Sequence, residues 1–183
     1  MPGPLKDERL TPRIASTAKM LYSIYFTASV FCLIAYKIAG LSWFDAWCQA
    51  ASTMALGGFS SFNQSFQSID NVAVEAVAVV FMLFAGINFA THFKVLKYKS
   101  LRYYFYCPEA LPFLKLVLGS GLLISAYLYF SDIYDSWFEA LRYGIFNTVS
   151  VATTTGFAST DYLAWPFVIP VFLLVLGSFA SSG

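Results

Sequence analysis

A short loop occurs twice in this chain, about a hundred residues apart: Ala55-Leu56-Gly57-Gly58-Phe59-Ser60-Ser61 and Thr153-Thr154-Thr155-Gly156-Phe157-Ala158-Ser159. Each copy follows a short apolar stretch opened by Trp-Phe-acid-Ala, first Trp43-Phe44-Asp45-Ala46 and then Trp137-Phe138-Glu139-Ala140. Each is followed by an apolar run long enough to cross a bilayer. A repeated span, half-length helix, glycine loop and span fixes the architecture before any single residue is given a task. Glycine at the end of a half-length helix within a membrane lets bare backbone carbonyls turn toward a cation. The repeat therefore points to ion conduction.

The setting for such loops has to be a membrane, and composition agrees. The chain is 58% hydrophobic and 11% charged, against roughly 45–50% and about 25% in soluble domains. Four apolar runs, 20–39, 72–91, 111–130 and 162–183, approach the ~20 residues that a spanning helix needs. Three carry a charge near one end, Lys37, Glu75 or Lys115, whose long side chains have to snorkel toward water. The stretches 41–56 and 137–155 are shorter or more polar and read as re-entrant pore helices.

Charge sets the expected orientation. Residues 1–19 carry Lys6, Arg9, Arg13 and Lys19, and 94–115 carries five Lys/Arg against Glu109 alone. The intervening segments are acidic: Asp45, Asp70 and Glu75 in one, Asp132, Asp135, Glu139 and Asp161 against Arg142 in the other. The excess of positive residues places 1–19 and 94–115 in the cytoplasm. Both glycine loops then open outward between acidic mouths, which concentrate cations.

The expected fold is all-α and integral to the membrane, with two tandem parallel repeats of span, re-entrant pore helix, filter loop and span. Its parts are a cytoplasmic lead-in (1–19), a first pore repeat (20–93), a cytoplasmic connector (94–111) and a second pore repeat (112–183). Asp45 lies 13 residues before Gly58, and Glu139 lies 17 before Gly156. The difference of four residues is about one helical turn, so the second pore helix is expected to be one turn longer.

Irregular backbone survives in a membrane only where protein surrounds it or where it lines a water-filled pore. Rings of carbonyls there replace the hydration shell of K⁺. Thr153, Thr154 and Thr155 add hydroxyl or carbonyl oxygens without net charge. Other polar residues carry less: Asn147 and Ser150 read as hydrogen-bonding groups on the second pore helix, His92 as a helix-terminal residue, Asn88 as an interhelical hydrogen-bonding group. Cys32, Cys48 and Cys107 have no metal or redox spacing. No paired carboxylates, nucleophile–base arrangement, phosphate loop or zinc spacing is evident, so the chain is not expected to be an enzyme.

Segment 1–19, the two glycine loops and Thr153-Thr154-Thr155-Gly156-Phe157-Ala158-Ser159-Thr160-Asp161-Tyr162 resemble the membrane subunit of the Trk/Ktr/HKT superfamily of potassium transporters. That subunit has four span–pore helix–span repeats around one pore, and this chain resembles the second and third. The resemblance makes Gly58 and Gly156 filter glycines, with Ala55, Leu56, Gly57, Thr153, Thr154 and Thr155 as adjoining filter backbone. It also makes Gly177, Ser178, Ala180, Ser181, Ser182 and Gly183 the start of a gate, a small-residue break in the last span. Gly177-Ser178-Phe179 departs from the family's usual Gly-Gly-Cys type of start.

The resemblance implies K⁺ movement across a bacterial inner membrane, with K⁺ as cargo and no cofactor in the chain. Its implied partners are lipid, the remaining pore repeats, a second copy of the subunit and a cytoplasmic nucleotide-binding regulatory ring; nucleic acid is not among them. The chain is expected to be an internal portion of such a subunit, the alternatives being self-assembly of two copies or a non-conducting scaffold. Channel-like flux and coupled symport both remain open.

Overall fold

The computed structural model describes residues 10–100 and 102–180. Among these residues eight α-helices follow one another: α1 (Leu10–Ile38), α2 (Trp43–Met54), α3 (Val72–Gly86), α4 (Phe89–Tyr98), α5 (Arg102–Tyr106), α6 (Ala110–Phe130), α7 (Trp137–Ala152) and α8 (Val168–Ala180). There is no strand among the described residues. Single 3-10 turns lie after each glycine loop, at Ser65–Ser68 and Tyr162–Ala164.

Among the described residues two single helices are long and apolar enough to cross a bilayer, α1 over Ala15–Ile38 and α6 over Ala110–Phe130. By contrast α2 has 12 residues and α7 has 16. At ~1.5 Å per residue these reach about 18 and 24 Å, short of the ~30 Å hydrocarbon core. The difference between them is the one turn expected. Both begin on a serine cap: Ser42 accepts from the Asp45 amide, and Ser136 from the Phe138 amide. Each serine satisfies an amide that the first turn leaves without a helical partner.

The helix ends do not coincide with the segment bounds read from sequence. The polar stretch 10–19 is helical, continuous with α1, so the boundary at residue 19 falls inside a helix; residues 1–9 of the lead-in lie outside the described residues. The run 72–91 is two helices, α3 and α4, meeting at 88°. Ile87 is extended (φ −81°, ψ 136°), and the Asn88 side chain accepts from the Ala90 amide and starts α4 afresh. Asn88 is thus a cap, and the connector expected at 94–111 begins within α4.

The last span also differs. Trp165 is extended (ψ 162°), as a residue before proline prefers, and α8 begins only at Val168. It then runs unbroken through Gly177, Ser178 and Ala180. Ser178 Oγ donates to the Leu174 carbonyl one turn back at 3.0 Å. A Cβ on Gly177 would lie 3.1 Å from the Val151 carbonyl oxygen, so this glycine lets α8 approach the end of α7. The break expected from the small residues does not fall within residues 177–180. Ser181, Ser182 and Gly183 lie outside the described residues.

The two halves share a core. Phe66, from the turn after the first loop, is fully buried. Its ring lies 5.0 Å from Phe146 and 4.7 Å from Phe157, both in the second half, and 6.5 Å from Tyr36 in α1. Helices α6 and α7 pack through small residues, Gly144 against Ser125 and Gly121 against the backbone of Ile145. Such residues let helix backbones approach closely.

Candidate ion-binding site

The two glycine loops leave their pore helices through equivalent amide bonds. The amide of Ala55 bonds to the Ala51 carbonyl at 3.1 Å, and that of Thr153 to Val149 at 2.9 Å. Leu56 bonds to Thr53 at 3.2 Å and Thr154 to Val151 at 3.0 Å; Gly57 to Ser52 and Thr155 to Ser150, both at 2.9 Å. Backbone φ is positive at every second position: Leu56 (51°) and Gly58 (69°), Thr154 (58°) and Gly156 (86°). In an extended strand successive carbonyls point to opposite sides. Alternating the hand of successive residues brings them toward one side.

Left-handed φ at Leu56 and at β-branched Thr154 costs about 1–3 kcal/mol each. The short amide bonds that close the end of each pore helix hold the strain in place. The glycines carry the same conformation at little cost.

The loops also touch each other. A Cβ on Gly58 would strike the Thr155 carbonyl oxygen and come within 3.4 Å of the Gly156 carbonyl carbon. A Cβ on Gly156 would meet nothing within 4 Å. Beyond the loops the Gln67 amide donates to the Ala158 carbonyl at 3.2 Å, and the Ala158 amide to Ser65 Oγ at 3.3 Å. The two runs of candidate filter residues therefore meet at Gly58, Thr155 and Gly156, each run directly following the C-terminal end of α2 or α7. A helix C-terminus carries roughly half a negative charge, which suits a cation.

Side chains behind the second loop brace it. Ser150 Oγ donates to the Phe157 carbonyl at 2.7 Å, and Asn147 Nδ2 to Ser159 Oγ at 3.0 Å. Thr153 Oγ1 donates to Val149 O at 2.8 Å, so Thr155 Oγ1, 2.7 Å away, donates to Thr153. The hydroxyls of Thr153 and Thr155 are thus committed to the protein, and both residues are buried. Behind the first loop Gln49 Nε2 donates to Ser60 Oγ at 2.6 Å. At the mouth of α2 the Asp45 carboxyl is held below its ordinary value, first by the hydrogen bond from Ser42 and then by that from Ser61.

An ion pair joins the halves at the same end. Arg142 of α7 meets Glu75 of α3 through two bonds, Nε to Oε2 at 2.7 Å and Nη2 to Oε1 at 2.9 Å; Nη2 also reaches Asp70 Oδ1 at 2.7 Å. Sequence reasoning passed over this pair and over Gln49. An internal signal for Gln49 existed: it and Asn147 both stand six residues before the first residue of their loops. The reading of Asn147 and Ser150 as hydrogen-bonding groups agrees with the bonds they make. Of the candidate gate residues, Gly177 packs on Val151, two residues before Thr153. His92 is buried at the α3–α4 bend, where Nε2 donates to the Phe84 carbonyl at 3.0 Å and Nδ1 accepts from the Tyr104 hydroxyl at 2.7 Å.

Comparison with known proteins bears on the family. The TrkH family model, described as a cation transport protein, matches residues 1–126. The chain is 40% identical over 179 residues to the Trk system potassium uptake protein TrkH of Halomonas elongata, covering 98% of this chain and 37% of that protein. It is 37% identical over 174 residues to the TrkH of Escherichia coli K12, covering 95% and 36%. The crystal structure of the potassium transporter TrkH from Vibrio parahaemolyticus superposes with a TM-score of 0.86 at 36% identity, over 93% of this chain and 36% of that one. The chain thus spans a little over a third of the length of these relatives. With a matching family model, matching sequence and matching fold, the chain belongs to the TrkH family of membrane cation transport proteins.

Proposed function

We propose that this chain forms part of a potassium-uptake pore, in which the two glycine loops supply half of a carbonyl-lined selectivity filter. The observation that carries the reading is the pair of adjoining loops with positive φ at alternate residues. Carbonyls so aligned bind a dehydrated monovalent cation without net protein charge. K⁺ is the cargo, as the names of the relatives suggest, and no chemistry on a substrate is required.

Each loop has two flanks, and they are used unequally. Gly58 abuts the second loop, whereas the equivalent flank of Gly156 is open; Phe157 is fully buried, whereas the equivalent Phe59 is 81% exposed. Further loops of the same kind on these two open flanks complete a ring. They come from other parts of a longer subunit. Trp43, Phe44 and Trp47 are likewise exposed on α2. The subunit sits in a bacterial inner membrane with residues 94–115 facing the cytoplasm, pairs with a second copy and answers to a nucleotide-binding partner there.

The test is uptake by the complete reading frame that carries this chain, in cells stripped of their own K⁺ uptake. Gly58→Ser and Gly156→Ser are each expected to abolish K⁺ uptake or to lower its preference over Na⁺. Unchanged uptake and unchanged preference in both variants, at normal membrane levels, would overturn the pore reading in favour of a non-conducting scaffold.

A further inference from the structure

Both pore helices aim an amide and a hydroxyl at the back of the loop that follows: Gln49 and Ser52 in α2, Asn147 and Ser150 in α7. Residues three apart share a helix face, so each pair acts on one stretch of backbone. In α7 the pair is fully engaged. Ser150 Oγ holds the Phe157 carbonyl; Asn147 Nδ2 holds Ser159 Oγ and the Tyr143 carbonyl, and its Oδ1 accepts from the Ser159 amide at 3.4 Å.

In α2 the same pair is half used. Gln49 is 0% and Ser52 8% exposed, and Gln49 Nε2 is bonded to Ser60. Yet Gln49 Oε1 and Ser52 Oγ are both buried without a hydrogen-bond partner among the described residues. A buried polar atom left unpaired costs about 1–3 kcal/mol. Two such atoms on one helix face, behind a loop whose counterpart is directly bonded, call for a shared ligand. The counterpart also shows why direct contact fails. Phe157 is packed under Phe66, with its carbonyl against Ser150; Phe59 is turned outward and accepts nothing from Ser52.

We propose that Gln49 and Ser52 are positioning residues that hold one buried water molecule behind the first glycine loop, in the place where Ser150 grips the second loop directly. The water accepts from Ser52 Oγ, donates to Gln49 Oε1 and keeps its second hydrogen for the loop backbone. Three bonds are usual for a buried water. Turning the Gln49 amide over exchanges acceptor for donor at the same place and leaves the site intact. A water-bridged loop yields more readily than a directly bonded one, so the carbonyls of Ala55 to Gly58 are the more compliant half of the pair. Ion discrimination then depends on Gln49 and Ser52, although neither touches the ion. The inference rests on the pore reading above.

The experiment measures the K⁺ to Na⁺ uptake ratio of the complete protein carrying Ser52→Ala, Gln49→Leu or both, with membrane levels checked by immunoblot. Each single variant is expected to lower the ratio about tenfold, the scale of one net hydrogen bond, and the double variant to lower it no further because one water serves both. An unchanged ratio in Ser52→Ala, together with equal or higher thermal stability, would show an idle hydroxyl and overturn the proposal. Fully multiplicative single effects would overturn the shared water. Should Gln49→Leu fail to reach the membrane, Ser52→Ala decides, since it removes a single oxygen. Gly58→Ser in the same assay separates the two levels: if it too leaves the ratio unchanged, the pore reading fails, and if it alone alters the ratio, only the water site does.

Discussion

Gly58 and Gly156 stand at the same place in their loops but face different neighbours, and this makes them unequal to mutation. Alanine at either has to adopt a left-handed φ, at about 1–2 kcal/mol. At Gly58 it also collides with the Thr155 carbonyl, which is backbone and cannot swing away, whereas at Gly156 the methyl enters open space. Thermal melting of the solubilised protein is expected to show Gly58→Ala clearly less stable than Gly156→Ala; equal losses would mean that the loops do not touch. The glycines and the one-turn offset between the repeats were legible because glycine and spacing are written in the sequence. The positive φ of Leu56 and Thr154 was not. Leucine and threonine carry no left-handed signature, and tertiary hydrogen bonds impose the conformation. Gln49 was missed for a related reason, since a buried amide on an apolar helix resembles any other polar interruption until its neighbour Ser60 is in view.

At the scale of elements, apolar composition located the helices but not their ends. The run 72–91 stays apolar through Gly86 and Ile87, so a hydropathy reading carries it straight on, while Asn88 starts a new helix at 88° to the first. At Gly177 the sequence suggested a broken helix, whereas α8 is continuous through Ala180 and Gly177 packs against Val151. The α3–α4 bend is braced by His92. A carbonyl can only accept, so Nε2 bears the proton toward Phe84 and Nδ1 takes the Tyr104 hydroxyl. The imidazole also stacks on Phe84 with centroids 4.0 Å apart. His92→Phe keeps an aromatic ring in that place but loses both bonds and is expected to destabilise by about 1–3 kcal/mol. Tyr104→Phe removes one of them. In a double-mutant cycle followed by melting, the pair is expected to be non-additive by ~0.5 kcal/mol or more. Strict additivity would mean that the brace does not join α4 to α5.

For the whole molecule the question is what locks two similar units into one relative position. Phe66 does so by packing into the second unit, and Arg142 by reaching back to the first. Neither was visible in sequence, because the ion-pair partners lie 67 and 72 residues from Arg142 and charge alone suggested only an acidic mouth. The two carboxylates are not equivalent. Glu75 is 4% exposed and is gripped twice, whereas Asp70 is 76% exposed. An exposed partner adds about 0–1 kcal/mol, while removing one side of a buried pair costs about 3–5 kcal/mol, since it strands the other charge. Asp70→Asn is therefore expected to leave the melting temperature almost unchanged, and Arg142→Leu to lower it strongly by stranding Glu75. Combining Arg142→Leu with Glu75→Leu removes both buried charges and is expected to recover most of that loss. If the double variant melts as low as Arg142→Leu alone, the pair is not a self-contained lock, and the arginine acts on the mouth through Asp70 instead.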